Sequence, residues 1–421
     1  MSWEWRSKSL KPVSYAGLIR NLVGKAELKP RVSIKKISEA VGLIAAEDVV
    51  AHVDSPEKNL SRVDGYAVLS EDLKGASEEN PVKLRIVDID PRKAGDYKIR
   101  SGEAVPVDTG FPLPEHADAC IPVEDAVVAD GYIIVKKPVR RGENVIARGV
   151  DFKRGFRIVA SGERILESHL RAMVEAGYHK VRVYEPPKVT IYSIGSELVG
   201  LEESGGVRET NSILARILLE PQPCLVEFKG LLNDDLNEIR EAVGEEAVGN
   251  SSIILLLSGS SIGRKDYTWQ AMNSVLKSTY SFRGVSGLEG KSLSGASVRG
   301  KVFLNVPGFP RALVNGVVLI ASRIVSYLNG LGYGVCYPCE NVVNIEKYVS
   351  TKCFYRVRFI EEAGVGMARI LDWPSPNSSS VISRASGFLV LEPWRSLVNV
   401  GEELFIQKLF CRGRLVCREL V

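Results

Sequence analysis

An alternation that begins at residue 188 constrains this chain more than any other feature. An apolar strand at 189–193 is followed by a helix from an Asn211-Ser212 cap to Leu219, and then by a strand at 225–232. A helix at 236–248, an almost wholly apolar strand at 252–257, a helix at 268–278, a strand at 302–306 and a long helix at 311–328 continue the series. Neighbouring side chains of a strand point to opposite faces, so a strand that is apolar at successive positions cannot turn either face to water. Such strands belong in a parallel sheet covered by helices on both sides. The pattern predicts a doubly wound α/β domain over 188–330.

The flanks read differently. Residues 9–48 look helix-rich: Ser14 is placed to cap a helix at 15–23 that stops at Gly24, and Ser33 to cap a run through Ile37, Val41 and Leu43. From 49 to 139 the segments are short, β-branched and broken by Pro and Gly, which predicts a β-rich module. Residues 140–180 return to helix, with a Gly-terminated helix at 168–177 and a short strand at 181–184, before Pro186-Pro187 marks a boundary. Beyond 337 the strands are short again. The expected organisation is a multidomain α/β and β protein: a helical linker domain from 1–48 and 140–187, a β-rich module at 49–139, the α/β domain at 188–330 and a small C-terminal β domain at 331–421.

Composition excludes several classes. With 421 residues, 45% apolar and 25% charged, the chain can bury ample core without disulfide or metal staples. A net charge of +4 is too small for nucleic-acid binding, whereas an anionic small molecule needs only a local positive site. The N-terminal ten residues lack the apolar core of a signal peptide, and no apolar run is long enough to span a bilayer. The expectation is a cytoplasmic protein with neither nucleic acid nor membrane as partner. Of seven cysteines only Cys336 and Cys339 have Cys-x-x-Cys spacing, and no second pair or nearby His completes a zinc site.

In an open α/β sheet ligands bind at the carboxyl ends of the strands, so the segments that follow the strands are the candidates for chemistry. They are Ser193-Ile194-Gly195-Ser196-Glu197, then Asn233-Asp234-Asp235, then Ser258-Gly259-Ser260-Ser261-Ile262-Gly263-Arg264-Lys265-Asp266, and finally Pro307-Gly308-Phe309-Pro310. Gly and Ser after a strand let backbone N–H groups and hydroxyls approach a phosphate, with the next helix contributing its positive N-terminus. Glu197, Asp234 and Asp266 supply oxygen ligands for a magnesium-type cation, which takes one or two carboxylates plus substrate phosphate. Each feature has a plain alternative: such loops also merely turn the chain, and Asp234 is placed to cap the helix at Leu236. The spacing is neither that of a Walker A loop nor that of a dinucleotide fingerprint. Two polar clusters mark the β-rich module, Ser61-Arg62-Val63-Asp64-Gly65-Tyr66-Ala67-Val68 and Asp108-Thr109-Gly110-Phe111-Pro112-Leu113-Pro114, the second running on to Ala117-Asp118-Ala119-Cys120-Ile121-Pro122-Val123-Glu124-Asp125.

On these residues the sequence resembles the molybdopterin molybdenumtransferase family (MoeA and the E domain of gephyrin) over nearly its whole length. Val63 to Val68 is similar to the family's Met-Asp-Gly-Tyr-Ala-Val signature, and Thr109-Gly110 through Glu124-Asp125 to its Thr-Gly-x-x-x-Pro…Ala-Asp-Ala…Pro-x-Glu-Asp stretch. Gly142-Glu143-Asn144 with Gly149-Val150-Asp151 matches Gly-Glu-Asn…Gly-Glu-Asp, except at Val150. Ser193 to Leu198 parallels Ser-x-Gly-x-Glu-Leu, and Thr210-Asn211-Ser212 the Ser-Asn-Ser that follows it. The resemblance implies a MogA/MoaB-like α/β domain and a homodimer whose active site is shared between subunits. It implies insertion of molybdate or tungstate into adenylylated molybdopterin with Mg2+ and release of AMP, so that a molybdopterin adenylyltransferase becomes an expected partner. Asp64 and Thr109 would come from one subunit and Glu197, Asp234 and Asp266 from the other, with Asp234 and Asp266 as metal ligands. Ser193, Gly195, Asn211, Ser212, Ser258, Gly259, Ser260, Ser261, Gly263, Lys291, Pro307, Gly308, Arg311, Ser379 and Arg384 would line the pterin-nucleotide and oxometalate sites.

The chain also departs from the family. The loop after Ser258 is one residue short of Gly-Gly-Val-Ser-x-Gly; Lys-Pro-Gly-Lys-Pro appears as Leu288-Glu289-Gly290-Lys291-Ser292; and Gly284 stands where bacterial members carry another Lys, with Arg283 beside it. Pro-Gly-Asn-Pro followed by Val-Ser has become Pro307-Gly308-Phe309-Pro310-Arg311-Ala312, with Arg311, Ser379, Ser380 and Arg384 as candidates to restore a positive oxometalate site. The departures set a second reading beside the enzyme: a non-catalytic paralogue that binds the pterin nucleotide or scaffolds cofactor-assembly proteins. The retained acids argue for the enzyme.

Overall fold

The computed structural model describes residues 13–14, 17–258, 266–286 and 293–333, together with backbone strands between 339 and 408. The centre of the molecule is the α/β domain. Its elements are β1 (Lys188–Ile194), α1 (Asn211–Leu219), β2 (Leu225–Leu232), α2 (Leu236–Val248), β3 (Ile253–Ser258), α3 (Tyr267–Val275), β4 (Tyr280–Arg283), β5 (Ser294–Val298) and β6 (Lys301–Pro307). A long helical segment follows, with a π turn at Val317–Ala321 between Pro310–Gly316 and Ser322–Leu328. The sheet order is β2-β1-β3-β6-β5-β4.

Successive residues of the central strands feed two separate cores. Val189, Ile191, Ile253, Leu255, Leu257, Val302, Leu304 and Val306 pack on one face. Tyr192, Ile194, Ile254, Leu256 and Phe303 pack on the other. This double burial accounts for the uninterrupted apolar runs. The sheet is nevertheless mixed: β2, β1, β3 and β6 are parallel, whereas β5 runs antiparallel to β6 and β4 antiparallel to β5. Val298 pairs with Lys301 across a two-residue turn in which Gly300 takes a φ of 77°, and a turn that short can only reverse the strand.

The helix expected at 15–23 lies at Leu18–Lys25, begins after Gly17 and includes Gly24. It packs with the α/β core through Leu18, Ile19, Leu22 and Val23, rather than standing with the linker. The Oγ of Ser297 and Oγ1 of Thr279 donate to the carbonyls of Leu22 and Lys25 near the helix end. The run expected to be helical after Ser33 begins instead as a strand, Val32–Lys36, and only Ile37–Ala40 is helical. That strand pairs in antiparallel register with Lys180–Tyr184, a partner far along the chain that outweighs local propensity.

The β-rich module carries a six-stranded sheet in the order Ala119–Pro122, Gly65–Val68, Glu103–Val107, Val82–Ile86, Tyr132–Val135 and Val127–Ala129. It too is covered on both faces, with Ala67, Val105 and Cys120 in one cluster and Val68, Ala104 and Ile121 in another. Gly65 is obligatory there, because a Cβ would lie 2.0 Å from the carbonyl oxygen of Ile121 in the paired strand. Toward the C-terminus a further six-stranded sheet joins Cys339–Val342, Leu404–Lys408, Gly387–Val390, Phe354–Glu362, Val365–Ile370 and Asn344–Ile345 in that order. Among the described residues, no helix is long and apolar enough to cross a membrane.

Candidate functional site

The chain passes from β1 through α1 to β2, and α2 then carries it back across β1 to β3. Strand order therefore reverses between β1 and β3, and their carboxyl ends open the crevice in which doubly wound folds bind ligands. Four strand ends, those of β1, β2, β3 and β6, are joined there by hydrogen bonds.

At the end of β1, the Ser193 hydroxyl donates to Oε1 of Glu209 at 2.9 Å. The same oxygen accepts the Ser212 N–H at 2.7 Å, and Oε2 accepts the Ser212 hydroxyl at 2.5 Å. Glu209 is only 7% exposed, so these three donors satisfy a carboxylate that would otherwise be costly to bury. It ties the end of β1 to the first turn of α1, where a negative charge also meets the positive end of the helix. The sequence pattern points to Ser193 and Ser212 and passes over Glu209. The available signal was an acid just ahead of a helix start.

Asn211 opens α1 and donates its side-chain N–H to the Gly308 carbonyl at 2.9 Å. The Gly308 N–H donates in turn to the Ser258 carbonyl at 2.6 Å, which joins the ends of β6 and β3. A Cβ at 308 would lie 3.3 Å from that Ser258 oxygen and 3.4 Å from the Asn211 amide nitrogen, so the three segments are close enough that a side chain there would push them apart by a few tenths of an ångström. Pro307, the last residue of β6, is buried, and Phe309 beyond Gly308 is 52% exposed.

Gly195 follows β1, and a Cβ there would fall 2.8 and 2.9 Å from the two carboxylate oxygens of Glu197, which folds back over it. The Gly195 N–H donates to the Leu232 carbonyl at the end of β2, and the Asp234 N–H donates to the Ser196 hydroxyl at 2.9 Å. The loops after β1 and β2 are thereby joined. Asp234 does not cap α2. Its neighbour Asp235 does, accepting the N–H groups of Asn237 and Glu238 at 2.9 Å each. The Asp234 and Glu197 side chains are exposed at this edge.

Asp266 is buried, with 5% exposure. One carboxylate oxygen caps α3 by accepting the Trp269 N–H at 3.2 Å. The other pairs with the Arg283 guanidinium at 2.6 Å, and Arg283 lies over the Trp269 ring, 5.7 Å from its centroid. Among the described residues no three His, Cys, Asp or Glu side chains gather closely enough to hold a metal ion alone. Asp234 and Asp266 are hard oxygen donors suited to magnesium, which needs only one or two carboxylates beside phosphate oxygens. Each Asp266 oxygen keeps a lone pair beyond the bond it already accepts.

In the β-rich module, Oδ1 of Asp64 accepts both the Thr109 N–H at 2.6 Å and the Thr109 hydroxyl at 2.8 Å. The backbone donor first and the hydroxyl second hold the Asp64 carboxyl below its ordinary range, against a small opposing effect of burial. Gly110, at a φ of 80°, turns the chain after Thr109 and donates its N–H to the Ser61 carbonyl. Both members of the pair are exposed, and among the described residues no hydrogen bond or ion pair links them to Glu197, Asp234 or Asp266. Gly259, Ser260, Ser261, Gly263, Lys291, Ser379, Ser380 and Arg384 lie outside the described residues, as does Cys336; Arg311 is described only as backbone, within Pro310–Gly316.

Residues 13–177 match the profile described as the MoeA N-terminal region (domain I and II), and residues 190–326 match that described as a probable molybdopterin binding domain. The chain is 29% identical over 335 residues to a molybdopterin molybdenumtransferase of Staphylococcus epidermidis, covering 78% of each protein. It is 28% identical over 323 residues to the one of Staphylococcus aureus, covering 76% of each. The fold superposes on a crystal structure of a molybdopterin biosynthesis MoeA protein from Pyrococcus horikoshii with a TM-score of 0.76 at 25% identity, over 96% of this chain and all of the other.

Proposed function

We propose, from the premise that the chain belongs to the MoeA family of molybdopterin molybdenumtransferases, that it is a cytoplasmic transferase of molybdenum-cofactor biosynthesis. Its substrates are adenylylated molybdopterin, supplied by an adenylyltransferase, and molybdate or tungstate; its products are the metal-loaded pterin and AMP. The observation that carries the reading is the mutual fastening of the end of β3 with the segments after β1, β2 and β6: Asn211 to Gly308, Gly308 to Ser258, and Asp234 to Ser196. A pyrophosphate linkage is cleaved fastest in a site whose dipoles are already in place, because nothing must reorganise as charge develops. Magnesium held by Asp234 and Asp266 would take up negative charge on the phosphate oxygens. Glu197, exposed beside Asp234, adds a carboxylate at the same edge. In the proposed homodimer the Asp64–Thr109 pair of one subunit completes the site of the other, because its own bonds stay within the β-rich module.

The test is AMP release from adenylylated molybdopterin by the purified protein, with magnesium and either molybdate or tungstate. AMP with at least one metal is expected. Nucleotide binding without AMP release in both cases would leave the non-catalytic reading in its place. The exposed Phe309, standing where the family carries Asn, is the observation that favours that alternative. Light scattering at micromolar concentration tests the dimer, and a monomer would refute the shared site.

A further inference from the structure

Strand β6 reads Val302-Phe303-Leu304-Asn305-Val306 between its ends, and every residue of it is buried. Asn305 is the one side chain in that run that can hydrogen-bond, and it is 0% exposed. It pairs in register with Leu256 of β3 and with Ser294 of β5. Ser258 lies two residues beyond Leu256 and so points to the same face of the sheet. Ser294, Asn305 and Ser258 therefore form a polar row across three strands, at the level where the apolar core through Leu256 and Phe303 gives out.

The row is hydrogen-bonded throughout. The Ser258 hydroxyl donates to Oδ1 of Asn305 at 2.7 Å, and Nδ2 of Asn305 donates to the Ser294 hydroxyl at 3.2 Å. Ser258 is also held through its backbone carbonyl, which accepts the Gly308 N–H. A buried amide is unfavourable unless both its ends are satisfied, so Asn305 fits this place because the two serines stand on either side of it. An apolar residue would fill the same volume but remove the side-chain bonds that link the ends of β3, β5 and β6 beyond their backbone pairing.

We propose that Asn305 is a positioning residue: it fixes the end of β3 at Ser258 and the start of β5 at Ser294 relative to Gly308, and so sets the geometry of the nucleotide crevice. The inference rests on the transferase reading above. It assigns Asn305 no contact with substrate.

The experiment compares wild type, Asn305→Leu, Asn305→Asp and Ser294→Ala. Asn305→Leu keeps the volume and removes both bonds; in Asn305→Asp a carboxylic acid kept neutral by burial accepts from the Ser258 hydroxyl and donates to that of Ser294, which preserves the row. Expected for Asn305→Leu is a circular-dichroism spectrum like that of wild type, a kcat for AMP release at least 10-fold lower, and a KM for adenylylated molybdopterin within about 3-fold, since small misplacements near a site cost rate out of proportion to their size. Amide exchange at Gly308 should quicken at least 10-fold, and Asn305→Asp should recover most of both losses. If Asn305→Leu fails to fold, Ser294→Ala, which breaks only the β5 arm, should still slow AMP release at least 3-fold. Unchanged kcat and unchanged Gly308 exchange in the folded variants would overturn the inference. A wild type that releases no AMP would refute the transferase reading instead, and Gly308 exchange would then decide on the row alone.

Discussion

Asp266 has two roles, a structural one visible in its bonds and a proposed one in holding magnesium, and substitutions at the pair it forms with Arg283 separate them. Asp266→Asn keeps one oxygen for the Trp269 N–H but turns its amide N–H toward the Arg283 guanidinium, two donors that cannot bond each other, at a cost of about 1.5–3 kcal/mol. Arg283→Met is the harsher change. It leaves a carboxylate whose side chain is 4% exposed without its counter-charge, a loss of about 3–5 kcal/mol. In a domain of this size one kcal/mol moves the melting temperature by about 3 °C, so Asp266→Asn should melt about 5–9 °C lower and Arg283→Met about 9–15 °C lower. The double variant removes the charge together with its partner and should melt above the sum of the single losses. Scanning calorimetry is the assay, since a chain of several domains need not unfold in one transition. An Arg283→Met variant that melts no lower than Asp266→Asn would refute the argument that Arg283 is what makes the buried carboxylate tolerable. AMP release, measured at 25 °C where Asp266→Asn remains folded, then probes the magnesium-holding role. At least a 100-fold loss is expected, and a loss no larger than the stability change explains would confine Asp266 to capping and pairing.

Three further outcomes follow from the same structure. Asp235→Ala should lower the melting temperature by about 3 °C, the usual worth of an N-cap, with AMP release kept, whereas Asp234→Ala should reverse that pattern; equal melting losses for the two would overturn the assignment of the cap to Asp235. Burial pushes the Cys120 thiol up to about 11, and burial followed by the Glu220 charge pushes Cys224 up to about 12, so neither should react with a thiol reagent at pH 8 until the protein is unfolded. Because the folded values are raised, these thiols contribute stability below the ordinary thiol pKa that is lost as pH rises toward those values; a chain no less stable at pH 10 than at pH 8 would contradict this. Asp64, whose value is depressed, contributes stability above its ordinary pKa that is lost as pH falls through the folded one. Thr109→Val should move the NMR titration of Asp64 only part of the way back, because the backbone N–H is the larger cause and remains; full restoration would reverse that ranking.

The sequence was most legible where one kind of burial ran the length of an element. Ile253–Ser258 and Lys301–Pro307 are buried on both faces, and their apolar runs announced it. Ser294–Val298 is as deeply buried, yet its Ser-Gly-Ala-Ser-Val gave no strand signal. Its side chains are small because Phe282 and Leu304 crowd it, to the point that a Cβ on Gly295 would lie 2.6 Å from the Phe282 ring. The composition of that strand records its neighbours, which no local window contains. The same limit explains Val32–Lys36, whose partner strand lies at Lys180–Tyr184. At the candidate site the acids were legible as a set but not by duty, since Asp234 and Asp235 are adjacent and only hydrogen bonds tell cap from exposed carboxylate.

That division of duty bears on how an anionic substrate can be held. The N-termini of α1, α2 and α3 all point to the carboxyl edge of the sheet, and each would ordinarily draw a phosphate. Here each is already met by a carboxylate of the chain itself: Glu209 accepts Ser212 N–H, Asp235 accepts Asn237 and Glu238 N–H, and Asp266 accepts Trp269 N–H. Helix dipoles at these three ends are thus committed to folding the site rather than to binding in it. Under the proposed reading, positive charge for the pyrophosphate then comes in good part from a bound cation, held by Asp234, which caps no helix among the described residues, and by the lone pairs Asp266 keeps beyond its capping bond. Under that reading the capping bonds that hold the crevice together also leave room for magnesium, and the substrate's affinity should fall steeply when magnesium is withdrawn.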